Sequence, residues 1–518
     1  MILLLAIPMI RGGPPLAEDG NGQLSTKNVA ETSDDREVES SKHAGDVRQR
    51  QAVIDAAKSG DIAALKGELR QGHDVNARDE TAGMTALMWA AQNADAETVH
   101  FLIDSSADVN MRSDNGRTAL YMAMSNPKHR VEIVRTLLAK GAKPSMQENP
   151  ENWWLRIYGR ALQTGAEPEI FKLLLNSGLD LNPPEEWSWQ PLPKAAAYGR
   201  ADVVELLLER GAAIDTTPGS EKTVLMRAAG AVHPLRSDPI RTLQLLLDAG
   251  ADAQIQRADR DGMTALHYAA ETAGPLSSAK IDLLLKAGAK VDARNNEGRT
   301  SLMLAALNSS DASPVRILLQ AGADPNARDH HDFTPLHWAI HWGQRPPNYF
   351  AIYRLLEKRA DVNRASDAGW TPLMLACRQS DSKILALLLS RGADPNLRND
   401  DGWTALLIAL ANNKREIWSQ WLREEKWFVQ PGRPMSEQDA NFLAATLIGN
   451  GPTYGQVGLV WILLTHGANL DVKAKDGTTV HSLLNGRDDT SAAAVRKLLE
   501  IDVRDDVRQH KNGNDREP

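Results

Sequence analysis

A seven-residue phrase recurs eight times along the chain. It reads TALMWAA from Thr85, TALYMAM from Thr118, TVLMRAA from Thr223, TALHYAA from Thr264, TSLMLAA from Thr300, TPLHWAI from Thr334, TPLMLAC from Thr371 and TALLIAL from Thr404. The first two copies start 33 residues apart, and those from Thr264 to Thr404 lie 36, 34, 37 and 33 apart. A leucine-rich stretch ending at a glycine follows most copies, as in LLLKAGAKVD, LLQAGADPN and LLSRGADPN. A unit this short cannot enclose a hydrophobic core of its own. Tandem copies must stack, each burying its neighbour's apolar face, which commits the chain to a solenoid.

The unit reads as a pair of short helices. Thr334 followed by Pro335 is a helix start, because the hydroxyl caps free N–H groups and proline's fixed φ suits the first turn. Leu336, Ala339 and Ile340 then fall at helical spacing. VRILLQ (315–320) forms a second helix, stopped at Gly322, which can take the left-handed cap conformation. This Thr-Pro-Leu-His signature at a period near 33 resembles the ankyrin repeat family. The resemblance spans residues 51–502 in about thirteen units, including weaker copies at 53–76, 159–182 and 190–215, and an irregular stretch around 413–460. It implies an all-α solenoid of stacked helix-turn-helix units with β-turn fingers, residues 323–333 being one finger.

Outside the array the composition changes. Residues 1–10 are a short apolar segment, too short to span a bilayer. It has the length of a signal-peptide core without the charged leader, so a partial signal sequence and an untargeted tag both stay open, as do cytoplasmic and exported locations. Residues 11–50 read as a disordered leader and residues 503–518 as a disordered charged tail, since neither carries enough apolar surface to offset its ordering entropy.

Charge and cysteine content exclude some functions. A net charge of −8 argues against general nucleic-acid binding, which needs a basic surface. Cys377 is the single cysteine, so neither an intramolecular disulfide framework nor a multi-cysteine zinc site can form. It reads as a small buried hydrophobe.

The segment 327–344 holds His330, His331, His337 and His341, which raises the question of a metal. His337 shares its place in the repeat with Met88, Tyr121, Met226, His267, Met303, Met374 and Leu407, so it is a packing position. The other three leave one alternative: a metal- or small-ligand-binding protein using His330, His331 and His341. No His-Glu-x-x-His pattern, nucleophile elbow or phosphate-binding glycine loop accompanies them. Asp79, Asp114, Asp329, Asp367 and Asp400 recur at turns and read as solvated. Arg78, Arg112, Arg294, Arg328 and Arg398 read as finger-stabilising side chains. The sequence points to no enzyme and no cofactor.

The family resemblance implies partner binding on the concave face, built from finger tips and the outward side of each first helix. The residue before each threonine is expected to face that groove. These residues are Met84, Arg117, Trp189, Lys222, Met263, Arg299, Phe333, Trp370 and Trp403, and the last three are aromatic in consecutive units. The expected partner surface therefore joins Phe333, Trp370 and Trp403 with His330, His331, His341 and Trp342, and a second group holds Trp187, Trp189 and Tyr198. Trp89, Tyr268 and Trp338 fall at positions read as core. The expectation is a monomeric, non-catalytic scaffold for a protein partner, with an exported effector as the reading that rests on residues 1–10.

Overall fold

The computed structural model describes residues 47–144, 150–178, 180–182, 190–215, 222–232, 237–272, 274–308, 313–340, 348–411, 454–485 and 490–500. The terminal segments 1–46 and 501–518 lie outside these residues, as does 412–453, which holds most of the irregular stretch. Among the described residues the chain forms twelve pairs of α-helices. The pairs run from 47–59 with Ile62–Arg70 to Val480–Leu484 with Thr490–Glu500. They are called repeats one to twelve below. Extended structure is limited, among these residues, to isolated bridges such as Arg78 with Thr85 and Arg294 with Thr300. The all-α solenoid expected from the sequence is what the chain adopts.

First helices pack on first helices of neighbouring repeats, and second helices on second helices. Ala265–Glu271 of the seventh repeat, for example, sits between Val224–Ala229 and Ser301–Asn308. The leucine two residues after each threonine is sealed in this seam, as at Leu87, Leu336 and Leu373. Second-helix leucines such as Leu284, Leu318 and Leu388 close it from the other side, and one continuous apolar cluster runs from Val53 to Leu498. Each fully buried leucine contributes roughly 1.5–3 kcal/mol. The threonines cap as expected: the Met88 N–H donates to Thr85 Oγ1 and the Met374 N–H to Thr371 Oγ1, both over 3.3 Å. Gly322 follows its helix at φ +90°, while Ser106 and Arg359 hold the same place at φ +71° and +61°.

Two polar ladders stitch the repeats together, and neither is visible in the apolar pattern. In the first, an asparagine bridges consecutive loops. Asn363 donates through Nδ2 to the Gly392 carbonyl (3.0 Å) and accepts from the Asp394 N–H (2.8 Å). Asn396 then makes the same two contacts with Gly467 (3.0 Å) and Asn469 (2.7 Å). The ladder thus steps from residue 396 to 467 without an intervening rung, and Ala405–Ala411 packs directly on Tyr454–Thr465. Helices Ala405–Ala411 and Tyr454–Thr465 therefore pack as the pair of one repeat. The described residues hold twelve such pairs, and the count of about thirteen read from the sequence includes stretches that lie outside them. The second ladder joins fingertips through their backbones. N–H groups of Asn296, His330, Asp367, Asp400 and Lys475 donate to the carbonyls of Asp261, Glu297, His331, Ala368 and Asp401 in the preceding fingers.

Side chains also cap first-helix ends across repeats. Asn126 donates to the carbonyls of Ala91 and Ala94, and Asn348 to that of Ala306. Lys280, which is buried, reaches the carbonyls of Ala229 and Ala231 over 2.9 and 2.6 Å. Burial pushes its pKa down to about 8.

Candidate partner-binding face

The finger bases and the outward side of the first helices form one face, and its geometry begins with the buried histidines. His337 accepts at Nδ1 from the Thr334 N–H (3.1 Å) and hydroxyl (2.8 Å), which leaves Nε2 protonated. Nε2 then donates to the backbone carbonyl of Trp370 in the next repeat (3.0 Å). His267 does the same with Thr264 and the carbonyl of Arg299. Burial holds the His267 pKa below the ordinary histidine value, against its hydrogen bonds. Packing position is therefore an incomplete description of His337: its ring fixes the residue that precedes the next threonine.

A second recurring unit has three parts: a finger aspartate, an aromatic ring and a cation. Trp89 Nε1 donates to Asp79 (2.8 Å), Tyr268 Oη to Asp259 (2.5 Å) and Trp338 Nε1 to Asp329 (2.9 Å). Over each ring lies a cation from the preceding repeat: Lys58 at 4.2 Å from the Trp89 centroid, Lys222 at 4.4 Å from Tyr268 and Arg299 at 4.3 Å from Trp338. The contact is attractive because the ring face carries the negative end of its quadrupole. This corrects the reading of two turn carboxylates as solvated. Asp79 and Asp329 are only 7% and 3% exposed, because the indole donors and turn N–H groups replace their water. Burial opposes ionisation of Asp79, but bonds from the Ala82 N–H, Trp89 and the Met84 N–H outweigh it and hold its pKa below the usual value. Asp114, Asp367 and Asp400 are exposed as expected. Trp338 is core, whereas Trp89 and Tyr268 are half-buried.

The candidate partner residues divide as follows. Phe333, Trp370 and Trp403 are half-buried and rest against the core, so they are more deeply seated than free surface rings. Phe333 meets His337 edge-on at 5.3 Å and Trp338 at 6.1 Å, and Arg378 lies 5.5 Å from the Trp370 ring. Tyr198 is also half-buried, with Lys194 at 6.0 Å. His330 and His331 are exposed on the ninth finger and turn to opposite neighbours. His330 packs over Gly298 of the preceding finger, and His331 Nδ1 lies 3.1 Å from Asp367 of the following one. His341, Trp342, Trp187 and Trp189 lie outside the described residues. Among the described residues no group of three His, Cys, Asp or Glu side chains converges as a metal site would require.

The finger arginines link successive fingers. Arg78 binds the Gly83 carbonyl (2.9 Å) and Asp114 (2.8 Å), and Arg294 donates to the Arg328 carbonyl. Cys377 is buried, and its desolvated thiol is pushed well above the usual pKa. No helix among the described residues is long and apolar enough to cross a membrane.

The sequence reading did not single out Asp259 or the Asn ladder, and it set Lys222 and Arg299 in the groove without showing that they lie over the rings of Tyr268 and Trp338. Their signal was present in the register: an Asp five or six residues before the threonine, and Trp or Tyr four residues after it.

Comparison with known proteins agrees with this architecture. Models described as ankyrin repeats match residues 53–148, 277–365 and 347–423, and a further one matches 231–280. A putative palmitoyltransferase of Danio rerio is 31% identical over 235 residues, covering 45% of this chain and 34% of the relative. The transient receptor potential cation channel subfamily A member 1 of Homo sapiens is 25% identical over 415 residues, covering 64% of this chain and 36% of the relative. The nuclear factor NF-kappa-B p105 subunit of Gallus gallus is 34% identical over 235 residues, covering 44% and 22%. The chain thus spans about a third or less of the length of these relatives, whose names describe three unlike activities. Matched by these models over most of its repeats, the chain belongs to the ankyrin repeat family.

Proposed function

We propose that this protein is a non-catalytic interaction scaffold that holds a protein partner on the face formed by first helices and finger bases. The observation that carries the reading is the shared place of Phe333, Trp370 and Trp403 in three successive repeats. The finger ladder keeps these repeats in register. Rings held in place before a partner arrives lower the ordering cost of binding, and aromatic residues dominate interface hot spots. His330, His331, His341 and Trp342 would border this row, and Trp187, Trp189 and Tyr198 would form a second contact group. The named activities of the relatives differ while each shares only part of its length with this chain, which favours the repeat array as the common element. The array is proposed to act as a single chain.

The test is quantitative capture by the full chain. Trp370→Ala with Trp403→Ala should remove the partner that the unaltered protein retains, at equal amounts of folded bait. Equal retention by both proteins rejects the reading. Light scattering at the capture concentration checks the single-chain state.

A further inference from the structure

The second helix of the ninth repeat, Tyr349–Glu357, shows three aromatic rings to solvent: Tyr349, Phe350 and Tyr353 are 45%, 62% and 47% exposed. Counted back from the helix-ending residue, Phe350 and Tyr353 take the places that hold Glu97 and His100, Glu132 and Arg135, and Glu169 and Lys172 in repeats two to four. Trp461 takes the place of Tyr353 in the eleventh repeat, half-buried on Tyr454–Thr465, a helix with no charged residue. In the tenth repeat the same place holds Ala386, a small side chain between the two rings. Contacts across the stack fix this surface. Tyr349 Oη donates to Asp381, which caps Ser382–Ser390, and the Arg391 guanidinium lies 5.9 Å from the Tyr353 ring. Ser382–Ser390 packs in turn on Tyr454–Thr465.

The charges around the rings are mainly basic. Arg316, half-buried on the neighbouring Ser313–Gln320, is bonded to neutral Gln320 (2.9 Å), and Lys358 and Arg391 are exposed. Lys383 is half-buried with contacts of its own. Among the carboxylates, Glu357 is paired with Arg354 (2.8 Å), and Asp381 is buried and engaged by Tyr349. Asp324, Asp361, Asp394 and Asp471 are exposed in the turns that follow the second helices, which for Asp361 is about 15 Å along the helix from Phe350. Second-helix carboxylates gather instead in repeats two to five, as at Asp104, Asp202, Glu205 and Glu209, so the chain of net charge −8 is most acidic there toward its other end. Asp311, Arg345 and residues 412–453 lie outside the described residues.

We infer that the outer side of the second helices in repeats nine to eleven is a peripheral docking surface for an anionic lipid bilayer. It stands apart from the partner face, which the first helices build. Phe350 and the rings of Tyr349, Tyr353 and Trp461 would sit among the headgroups, where amphipathic aromatic side chains settle, with Arg316, Lys358 and Arg391 at the anionic groups around them. A bilayer fits this surface better than a second protein does. Rings that stand out from an outer helix need pockets in a rigid partner, whereas a bilayer deforms around them. The contact is peripheral, because no helix among the described residues is long and apolar enough to cross a membrane.

The experiment is co-sedimentation of the full chain with vesicles of phosphatidylcholine alone and of equimolar phosphatidylcholine and phosphatidylserine. The unaltered protein should sediment with the mixed vesicles, less with phosphatidylcholine alone, and should be released as salt is raised. Phe350→Ser with Tyr353→Gln installs the residue types that Ser313 and Gln244 supply at the equivalent places in repeats eight and six. This variant should lower partition into the mixed vesicles about tenfold or more, with an unchanged circular-dichroism spectrum. Phe350→Trp should retain binding, and Lys358→Gln with Arg391→Gln should reduce the preference for the mixed vesicles. Should the ring variant misfold, Phe350→Ser alone is used and should still lower partition measurably. No sedimentation of the unaltered protein with the mixed vesicles overturns the inference, as does equal sedimentation with both kinds. Undiminished sedimentation of the ring variant, as insertion of residues 2–10 would give, overturns it too. A ring change that abolishes partner capture while vesicle binding stays intact assigns the surface to a protein, and the lipid reading falls.

Discussion

His337 and Trp370 are joined across a repeat boundary: the Nε2–H of the histidine donates to the backbone carbonyl of the tryptophan over 3.0 Å. A buried core residue of the ninth repeat therefore sets the position of a candidate partner residue in the tenth. His337→Leu keeps the apolar contact but leaves the Thr334 N–H and the Trp370 carbonyl without their ring partner. Unsatisfied buried groups cost about 1–3 kcal/mol. His337→Met should cost less, since Met303 fills the equivalent place and its sulfur accepts from the Thr300 N–H at 3.5 Å. Hydrogen exchange read at the ninth and tenth repeats should rank the variants in that order. Equal protection in the two would mean that the bonds contribute nothing.

His267 gives the array a pH dependence of known sign. Its pKa is depressed in the folded chain, so the unfolded state takes up the proton first as pH falls. The stability contributed by the neutral ring is present in full above the ordinary histidine value of about 6.5 and is lost as pH drops from there toward the lower folded value. Protection of the seventh and eighth repeats should fall over that window. His267→Met should flatten the dependence, which a pH series of hydrogen exchange measures directly.

Gly369 marks a close approach between the backbones of two fingers. It sits at φ +75°, and a Cβ there would stand 2.7 Å from both Asn399 Cα and the Asp400 nitrogen. Backbone cannot yield as a flexible side chain can, so Gly369→Ala should force its own finger and the one after it apart and break the Asp400 to Ala368 bond. Loss of well over 1 kcal/mol is expected from the strained φ and the displaced backbone together. Thermal unfolding and exchange at Asp400 check it. An unchanged Asp400 amide contradicts the finger ladder.

Ser106 and Arg359 offer the opposite change. They occupy, at φ +71° and +61°, the helix-ending place that Gly322 holds elsewhere. Glycine there removes a left-handed penalty of roughly 1–2 kcal/mol and gives back part of it as unfolded-state entropy. Ser106→Gly and Arg359→Gly should each stabilise their repeat by about 0.5–1 kcal/mol. Denaturation of the single variants should register both as gains.

The repeat itself was legible because Thr85, Leu87 and their equivalents recur at fixed spacing, and that spacing dictates helices that can be buried only by stacking. The packing partner of the Ala405–Ala411 helix was not. The strings on either side of residues 412–453 each look like a half-repeat, and only the step from Asn396 to Asn469 shows that they belong together. Asp329 was misread because an aspartate in a polar turn looks solvated until the indole of Trp338, nine residues on, is seen to reach it. Trp370 and Trp403 were read as groove-facing, and their depth against the core was missed. How far a ring sinks against the core depends on the neighbouring repeat, which one unit's sequence does not encode.

That depth changes what the double truncation should do. Half-buried rings contribute to folding, so Trp370→Ala with Trp403→Ala should cost about 2–4 kcal/mol of local stability, less than two full core truncations. The most direct test of the account is the dissociation constant of the captured partner for this variant, measured per folded molecule at a temperature where both proteins remain folded. The account predicts weakening on the order of thirtyfold or more, about 2 kcal/mol. An unchanged dissociation constant, with only the unfolding midpoint lowered, would show that the aromatic row is packing and would contradict it.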